Sequence, residues 1–472
     1  MDLIHSTARD VIAALKAGKV SPLELLDMLE ERIAAVDGDV HALPTLCFER
    51  ARHNAGILAD KPPEERGLLA GLPIPIKDLE EVAGVLTTHG SPIFRDNIPE
   101  ASDHVVQRIE HSGGVVYAKS NTPEFGAGGN TFNEVFEATR NPWNLRMSAA
   151  GSSGGAAASL ASGTSWLAQG SDMGGSLRNP ASFCGVVGLR PAPGRVPGGP
   201  TADPYGSLSV NGPMARDIDD VALFLDAMCG ADAREPMMLE TPGVSFQDAA
   251  RQRRKPERVA FSPDLGITPV DPEVAEICEK AARAFEGLGV PVEKAHPDLS
   301  EAHETFQILR AHDFAVGMED LLADHRDLLK PEVVWNIEQG LALDTADIRR
   351  AQKMRGAMVE RVYTFFRTYD LLIAPATIVP AFPVEQRYLE TCAGQTFETY
   401  IDWLAIAYAI TLVSLPALSM PCGFTRSGLP VGLQLVGRPR GEAALLSAAG
   451  VLQDALGLDS QPIDPRPTAQ ET

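Results

Sequence analysis

The sequence predicts an α/β protein built around one large β-sheet, and two patterns support this prediction. Short apolar runs bounded by glycine, proline or a charged residue recur along the chain, as at 72–76, 115–118 and 371–375, and such runs are typical of buried strands. Stretches with apolar residues at helical spacing lie between them, as at 217–229. Alternation of the two patterns indicates helices packed on a sheet, with functional residues in the loops at strand ends.

The N-terminal stretch predicts two helices. Ser6 can cap a helix that runs to about Lys16. Ser21 followed by Pro22 supplies a cap and a favourable first residue for a second helix, which we expect to run to about Val36.

One uncharged segment near the C-terminus resembles a membrane span in length. Residues 403–423 are long enough to cross a bilayer. Pro416 interrupts the segment, and proline breaks a helix interior. We therefore predict a buried helix that ends near Ser414 and a buried strand around Leu418, and no contact with a membrane.

Composition and charge disfavour several classes of protein. The 472 residues contain 41 Lys and Arg against 63 Asp and Glu, a formal net charge of −22. Binding to nucleic acid or to an anionic membrane surface requires clustered basic residues. The six cysteines show no CxxC spacing, and the first residues lack the apolar run of a secretion signal. We therefore expect no nucleic-acid partner, reduced thiols and a cytoplasmic location.

Two Gly/Ser-rich turns flank a helix of small residues, and they carry the candidate chemistry. They lie at 151–155 and 170–180, and the small side chains between them require close backbone packing. Consecutive glycines before Ser176 allow backbone N–H groups to converge on one point, as an oxyanion hole requires. A serine in that position can act as a nucleophile only if a base activates it.

The base for Ser176 is not obvious from local spacing. None of the ten histidines lies at a spacing tied to these glycines, although distance in sequence does not exclude a His-based triad. A lysine can serve if burial lowers its pKa from about 10.4 towards 7–8. Lys77 is the candidate because it follows the apolar run 72–76. The alternative is a lysine that extends its charge to the surface.

Three motifs together resemble the amidase signature family in their order, residue identity and spacing. They are GLPIPIKD at 71–78, GSSGG at 151–155 and GGSLR at 174–178. Shorter matches at 122–125, 141–144, 184–191, 418–423 and 428–434 extend the resemblance over nearly the whole chain. One departure is Ala150, where the family usually has glycine, and alanine prefers ordinary backbone angles.

The resemblance implies the fold in more detail. We expect a single large α/β domain, 1–472, with a mixed and mostly central β-sheet covered by helices, the amidase signature fold. Its expected parts are N-terminal helices at 1–70, a catalytic core at 71–230, a mostly helical variable region at 231–370, and the C-terminal part of the core at 371–460.

The resemblance also implies a Ser–cisSer–Lys triad. Ser176 is the expected nucleophile, Ser152 the serine that follows a cis peptide bond, and Lys77 the base. Neutral Lys77 takes a proton from Ser152, which takes one from Ser176, and no metal or organic cofactor takes part. The expected oxyanion donors are the N–H groups of Met173, Gly174, Gly175 and Ser176.

Several further residues have two possible roles. Ser153 either bonds to Lys77 or caps the following helix. Asp172 and Arg178 bracket the nucleophile, and they either form a buried pair that fixes the loop or clamp the substrate. Gly128, Gly129 and Asn130 either line the acyl pocket, as the equivalent loop does in the family, or form a plain turn. The aromatic residues Phe306, Trp335 and Phe382 either shape the leaving-group side of the pocket, as those regions do in relatives, or belong to the core.

Two competing functions fit parts of the sequence. The run 151–155 also matches the G-x-S-x-G nucleophile elbow with Ser153 as nucleophile, but that motif follows a buried strand, which 141–146 does not predict. Within the family, the amidotransferase subunit that passes ammonia to a charged tRNA usually carries Ser-Leu-Asp-Gln after Tyr-Gly. Here Tyr205-Gly206 is followed by Ser-Leu-Ser-Val.

We therefore favour a hydrolase that cleaves the acyl C–N bond of a small-molecule amide to a carboxylate and ammonia or an amine. The alternative is the amidotransferase component, which works together with partner subunits. Many relatives are dimers, so a homodimer is one expected assembly. The physiological amide, the preference for aryl or aliphatic groups, and the hydrolysis of esters stay open.

Overall fold

A computed structural model describes residues 3–465 of the chain. Strands and helices alternate along most of it, as the sequence predicts. The strands are β1 Thr45–Leu46, β2 Pro73–Lys77, β3 Val115–Ser120, β4 Arg140–Asn141, β5 Asn144–Ser148, β6 Leu167–Asp172, β7 Val187–Arg190, β8 Val210–Ala215, β9 Val259–Phe261, β10 Val292–Lys294, β11 Leu371–Pro375, β12 Thr391–Cys392, β13 Gln395–Thr396, β14 Ala417–Phe424 and β15 Pro430–Val436.

Helices cover the strands over most of the chain. They are α1 Ala8–Lys16, α2 Pro22–Val40, α3 Phe48–Ala59, α4 His104–His111, α5 Gly154–Ala161, α6 Arg178–Cys184, α7 Ile218–Met228, α8 Phe246–Arg251, α9 Pro272–Ala282, α10 Ala284–Gly287, α11 Ala302–His325, α12 Pro331–Leu341, α13 Thr345–Phe365, α14 Ala405–Leu412 and α15 Glu442–Leu456.

The central sheet has eight strands in the order β10-β9-β11-β15-β14-β7-β8-β6. The β9 pairings with β10 and β11 are parallel, whereas the pairings from β11 to β6 are antiparallel. This mixed sheet, covered by helices, confirms the predicted fold class. Two apolar clusters, one reaching from α1 to α15 and one around α11, α13 and α14, form its core.

A separate three-stranded sheet contains two of the strands that the sequence predicts. Its order is β1-β3-β2, and β2 runs parallel to β3. The prediction of one large sheet therefore needs this addition. The Lys77 N–H at the end of β2 donates to Gln169 Oε1 of β6 at 2.9 Å, and this bond fixes the small sheet beside the edge strand of the large one.

Local signals explain where the N-terminal helices begin. Thr7, one residue after the expected Ser6, caps α1. Ser21 and Glu24 form a reciprocal capping box at the start of α2. Helix α2 continues four residues past the predicted Val36 and ends where His41 adopts a left-handed conformation with φ of 56°.

The uncharged segment 403–423 folds as a buried helix followed by a buried strand, as predicted. Helix α14 ends at Leu412, two residues before the expected Ser414, and Ser414 has a left-handed φ of 55°. Strand β14 then begins at Ala417. Across residues 3–465, no helix combines the length and the apolar character needed to cross a membrane.

The helix of small residues lies at the centre of the molecule. All residues of α5 are buried. A Cβ atom at Gly155 would lie 2.3 Å from the backbone nitrogen of Asn121 and 2.5 Å from the carbonyl oxygen of Ala42. The close backbone packing predicted for this segment is therefore confirmed, and it brings the start of α5 against the end of β3.

Candidate active site

Lys77 ends strand β2, and its side chain is fully buried among three hydroxyl groups. Its Nζ atom donates to Ser152 Oγ at 2.7 Å, to Ser153 Oγ at 2.9 Å and to Ser171 Oγ at 3.1 Å. The three acceptors lie on the loop before α5 and on β6. This lysine does not extend to the surface, because the buried strand β2 places its side chain in the interior.

The surroundings of Lys77 favour its neutral form. Burial lowers the pKa of Lys77 from 10.5 to about 7, although the charges of Glu80 and Asp172 oppose this shift. A substantial fraction of the side chain is therefore neutral at pH 7 and able to accept a proton.

Ser152 and Ser176 line the same cavity, which has a volume of about 150 Å³. The Gly151–Ser152 peptide bond is cis. The Ser153 N–H donates to the Ser176 carbonyl at 3.2 Å, which joins the two Gly/Ser segments. Within residues 3–465, Ser176 Oγ makes no hydrogen bond, so the Ser152–Ser176 bond of the expected relay is not formed. Catalytic hydrogen bonds often tighten only when substrate binds.

The turn between β6 and α6 supplies backbone donors to this cavity. Met173, Gly174 and Ser176 line it, and their N–H groups donate to no acceptor in the described part of the chain. The Gly175 N–H instead donates to Asp172 Oδ1 at 3.0 Å. Of the four N–H groups expected to serve as oxyanion donors, that of Gly175 is therefore already occupied by a carboxylate, and the other three are free in the described part of the chain.

Asp172 holds this turn in place. Its buried carboxylate accepts the Gly175 N–H and the Leu177 N–H, the latter at 3.1 Å. It also accepts two bonds from Arg178, at 3.0 and 2.9 Å, and Arg190 Nη1 lies 3.4 Å away. Although burial opposes its ionisation, Arg178 and Arg190 hold the pKa of Asp172 below its ordinary range. The carboxylate therefore acts as a charged anchor for the loop.

Ser153 is held within the protein and does not line the cavity. Its Oγ accepts from Lys77 and donates to the Ser171 carbonyl at 3.2 Å, and it makes no capping bond to α5. Strand β5, which the sequence did not predict, precedes this segment, but it pairs with β4 and with the segment around Pro383, outside the central sheet, and is mostly half-buried or exposed. The buried strand of a nucleophile elbow is not formed by β5.

Ala150 adopts a conformation that its side chain disfavours. Its φ is 58°, in the left-handed region, where a Cβ atom costs about 1–2 kcal/mol. The expectation that alanine here implies ordinary backbone angles is wrong. The Ala150 carbonyl accepts a bond from Thr131 Oγ1 at 2.7 Å and its N–H donates to Ser148 Oγ at 2.9 Å, and these contacts hold the strained residue.

The expected pocket residues separate into two groups. Gly128 lines the cavity. Gly129 lies behind it, because a Cβ atom there would be 2.3 Å from the Trp403 ring. Asn130 is buried and its Nδ2 donates to the Val384 carbonyl at 3.0 Å, so its amide serves the loop and not the cavity.

The three expected aromatic residues separate in the same way. Phe306 lines the cavity. Trp335 instead packs edge-on against Tyr400, and Phe382 packs edge-on against Phe183. The last two belong to the core around the cavity.

Three residues of the site were not predicted from the sequence. Ser171 contacts Lys77, and its place in the Gly/Ser stretch beside Asp172 could have indicated it. Arg190 supports Asp172, and it lies in one of the shorter family matches. Asp313 lines the cavity from α11. No motif precedes or follows Asp313, so only the tertiary structure brings it to the site.

Comparison with known proteins shows the family of this chain. The family model named Amidase matches residues 24–446. An acylamidase from Rhodococcus erythropolis is 36% identical over 449 residues, covering 94% of each chain. The A-type subunit of the glutamyl-tRNA(Gln) amidotransferase from Moorella thermoacetica is 35% identical over 475 residues, covering 95% of this chain and 96% of its own.

Solved structures share the same architecture. A bacterial aryl acylamidase of the amidase signature enzymes superposes with a TM-score of 0.90 and 26% identity, covering 96% of each chain. The family match spans most of the chain and the structural match nearly all of it. The protein is a member of the amidase signature family.

Proposed function

We propose that this protein hydrolyses the acyl C–N bond of small-molecule amides through an acyl-enzyme on Ser176. The observation that carries the proposal is the buried Lys77, bonded to the Ser152 hydroxyl beside a cavity that also exposes Ser176. A lysine whose pKa lies near 7 can serve as a general base at neutral pH.

The first half of the reaction forms the acyl-enzyme. Neutral Lys77 accepts the Ser152 proton while Ser152 accepts the Ser176 proton, and Ser176 Oγ bonds to the amide carbonyl carbon. The carbonyl oxygen becomes negative, and the free N–H groups of the β6–α6 turn can bind it. When the C–N bond breaks, the relay returns a proton to the nitrogen, and ammonia or an amine leaves.

Water completes the cycle. It attacks the Ser176 ester while the same relay removes one of its protons. The C–O bond to Ser176 then breaks, the serine regains its proton, and the acid leaves as a carboxylate. Each step uses only side chains and backbone groups of this chain together with water.

The second candidate is the A-type component of an amidotransferase, to which the chain is nearly as similar as to the acylamidase. One position of the cavity distinguishes the two. Ser209 lines the cavity and stands where the Ser-Leu-Asp-Gln run of that component has aspartate. The loss of this carboxylate beside the nucleophile favours the free-standing hydrolase.

Activity of the single chain is the test of this proposal. We expect the purified protein to release amines from a panel of aryl acylamides and short aliphatic amides, with no tRNA, ATP or partner protein present. Ser176→Ala should lower the turnover number by about 10⁴-fold or more, because removal of a triad nucleophile has effects of that size. Amine release measured by chromatography gives the turnover number.

Ser300→Ala, an exposed serine outside the site, is the matched control and should keep full activity. Circular dichroism of each variant checks that it is folded. Wild-type turnover by Ser176→Ala would refute the assignment of the nucleophile. Activity that appears only with partner proteins and tRNA would favour the amidotransferase.

A further inference from the structure

Helix α11 forms one wall of the catalytic cavity and contributes a single carboxylate to it. The residues it presents recur at spacings of three and four, which places them on one face of the helix. Phe306, Phe314 and Met318 make most of this wall apolar. The charged members of the face are Arg310 and Asp313.

Asp313 has no partner in the described part of the chain. No residue from 3 to 465 donates a hydrogen bond to its carboxylate or forms an ion pair with it, although the side chain is half-buried. Burial raises the pKa of Asp313 to about 6, so the group is ionised at pH 8. A partly desolvated carboxylate without a partner is unfavourable, and a donor from a ligand would relieve that cost.

The neighbouring cations already have other partners. Arg310 bonds to Asn336 and, at 2.6 Å, to Tyr400 Oη. The Arg355 guanidinium donates to the Leu412 carbonyl at 2.8 Å. His312 and both arginines lower the pKa of Asp313 through space and Asp203 raises it, but none of them forms a direct pair with it in the described part of the chain.

Asp313 also lies where the catalytic cavity adjoins a second one. The second cavity has a volume of about 260 Å³, and it shares Met173, Ser209 and Asp313 with the first. Glu80, Asp203 and Glu235 also line the second cavity. Glu235 is engaged by His104 at 2.6 Å, and Asp203 accepts the Tyr205 N–H at 3.0 Å. The shared wall therefore places the unpaired carboxylate of Asp313 beside the β6–α6 turn, and the second cavity leaves room beyond it for part of a substrate.

We propose that Asp313 is a specificity-determining residue that selects amides carrying a positively charged amino group, which it binds at the junction of the two cavities. This proposal rests on the amide-hydrolase function proposed above. A cation gains a charge-assisted hydrogen bond from Asp313. A neutral alkyl group leaves the carboxylate unpaired, and an anionic group is repelled by it.

The experiment compares matched substrates that differ only in this charge. In the acyl arm, 6-aminohexanoyl 4-nitroanilide is compared with heptanoyl 4-nitroanilide. In the amine arm, N-(6-aminohexyl)acetamide is compared with N-heptylacetamide. The measured quantity is the ratio of kcat/KM for the cationic substrate to that for its neutral partner at pH 8, and the arms show which end of the substrate reaches Asp313.

In at least one arm, we expect the wild type to favour the cation and Asp313→Asn to lower the ratio about tenfold, as loss of one charge-assisted bond implies. Asp313→Glu, which keeps the charge, should retain the direction of the preference. Asp320→Asn changes the same net charge at an exposed position of α11, outside both cavities, and should leave the ratio unchanged.

Three results would overturn the inference. One is a wild-type ratio at or below one in both arms, and another is an unchanged ratio in Asp313→Asn. The third is an equal loss in Asp320→Asn, which would indicate a general charge effect. Hydrolysis without preference refutes only the role of Asp313. If the wild type hydrolyses no amide of either this set or the earlier panel, the proposed function falls, and this inference falls with it.

Discussion

Lys77 is the residue whose surroundings place the strongest constraint on the chemistry. A buried ammonium normally requires a carboxylate partner. Lys77 has three hydroxyl partners instead, and its pKa is lowered to about 7. Burial therefore favours the neutral amine, which can accept a proton from a serine hydroxyl.

The pH dependence of the reaction should report this lysine. Because only neutral Lys77 can accept a proton, kcat/KM for an uncharged amide should rise with pH through about 7 and level off above pH 8. The measurement is a profile of kcat/KM between pH 5.5 and 9.5, which reports ionisation of the free enzyme.

The control is the far-ultraviolet circular dichroism of the protein over the same pH range, which shows whether the fold is maintained. Lys77→Met should lose activity and this rising limb together. A rise centred near pH 10, or a rate that falls as pH increases through 7, would contradict the assigned role of Lys77.

At the scale of elements, the β6–α6 turn depends on Asp172. Its carboxylate fixes two backbone N–H groups of the turn and faces the buried guanidinium groups of Arg178 and Arg190. Three other N–H groups of this turn stay free at the cavity. The same carboxylate thus connects folding stability with the geometry of the proposed oxyanion donors.

Asp172→Asn should therefore destabilise the protein as well as reduce turnover. Neutralising the carboxylate leaves two buried arginines without a counter-charge, and breaking a buried pair in this way costs about 3–5 kcal/mol. The free energy of unfolding, measured by urea denaturation, should fall by that order.

Glu30→Gln is the matched control, because it neutralises one acidic partner of Arg52 in an exposed pair. It should leave the urea midpoint nearly unchanged. An unchanged midpoint in Asp172→Asn would show that the buried pair does not stabilise the turn.

The sequence could predict those site residues that lie in short motifs, but not the contacts that depend on the fold. Lys77, Ser152 and Ser176 lie in three short motifs, and each motif can be recognised from a few consecutive residues. The sequence could not show that the Gly175 N–H, unlike those of its neighbours, is already bonded, because its bond to Asp172 depends on the conformation of the turn. The left-handed Ala150 was missed because Thr131, whose hydroxyl bonds to its carbonyl, becomes adjacent to it only in the fold.

At the scale of the whole molecule, the sheets assemble the site from distant parts of the chain. Lys77 comes from the small sheet, Ser176 follows the edge strand β6 of the large sheet, and Asp313 comes from α11. Alternating patterns predicted one large sheet with a helical cover, and the family resemblance implied that this sheet is mixed. They could not predict the separate three-stranded sheet or the wall formed by α11, because strand partners and helix faces depend on contacts between distant segments.

The assignment of Ser176 as the nucleophile is tested most directly by finding which serine is activated. A fluorophosphonate probe forms a covalent bond to an activated serine oxygen and releases fluoride, and intact-mass and peptide mass spectrometry locate the adduct. We expect one adduct on the wild type, at Ser176, and none on Ser176→Ala. An adduct at Ser153, or one that persists in Ser176→Ala, would contradict the proposed mechanism.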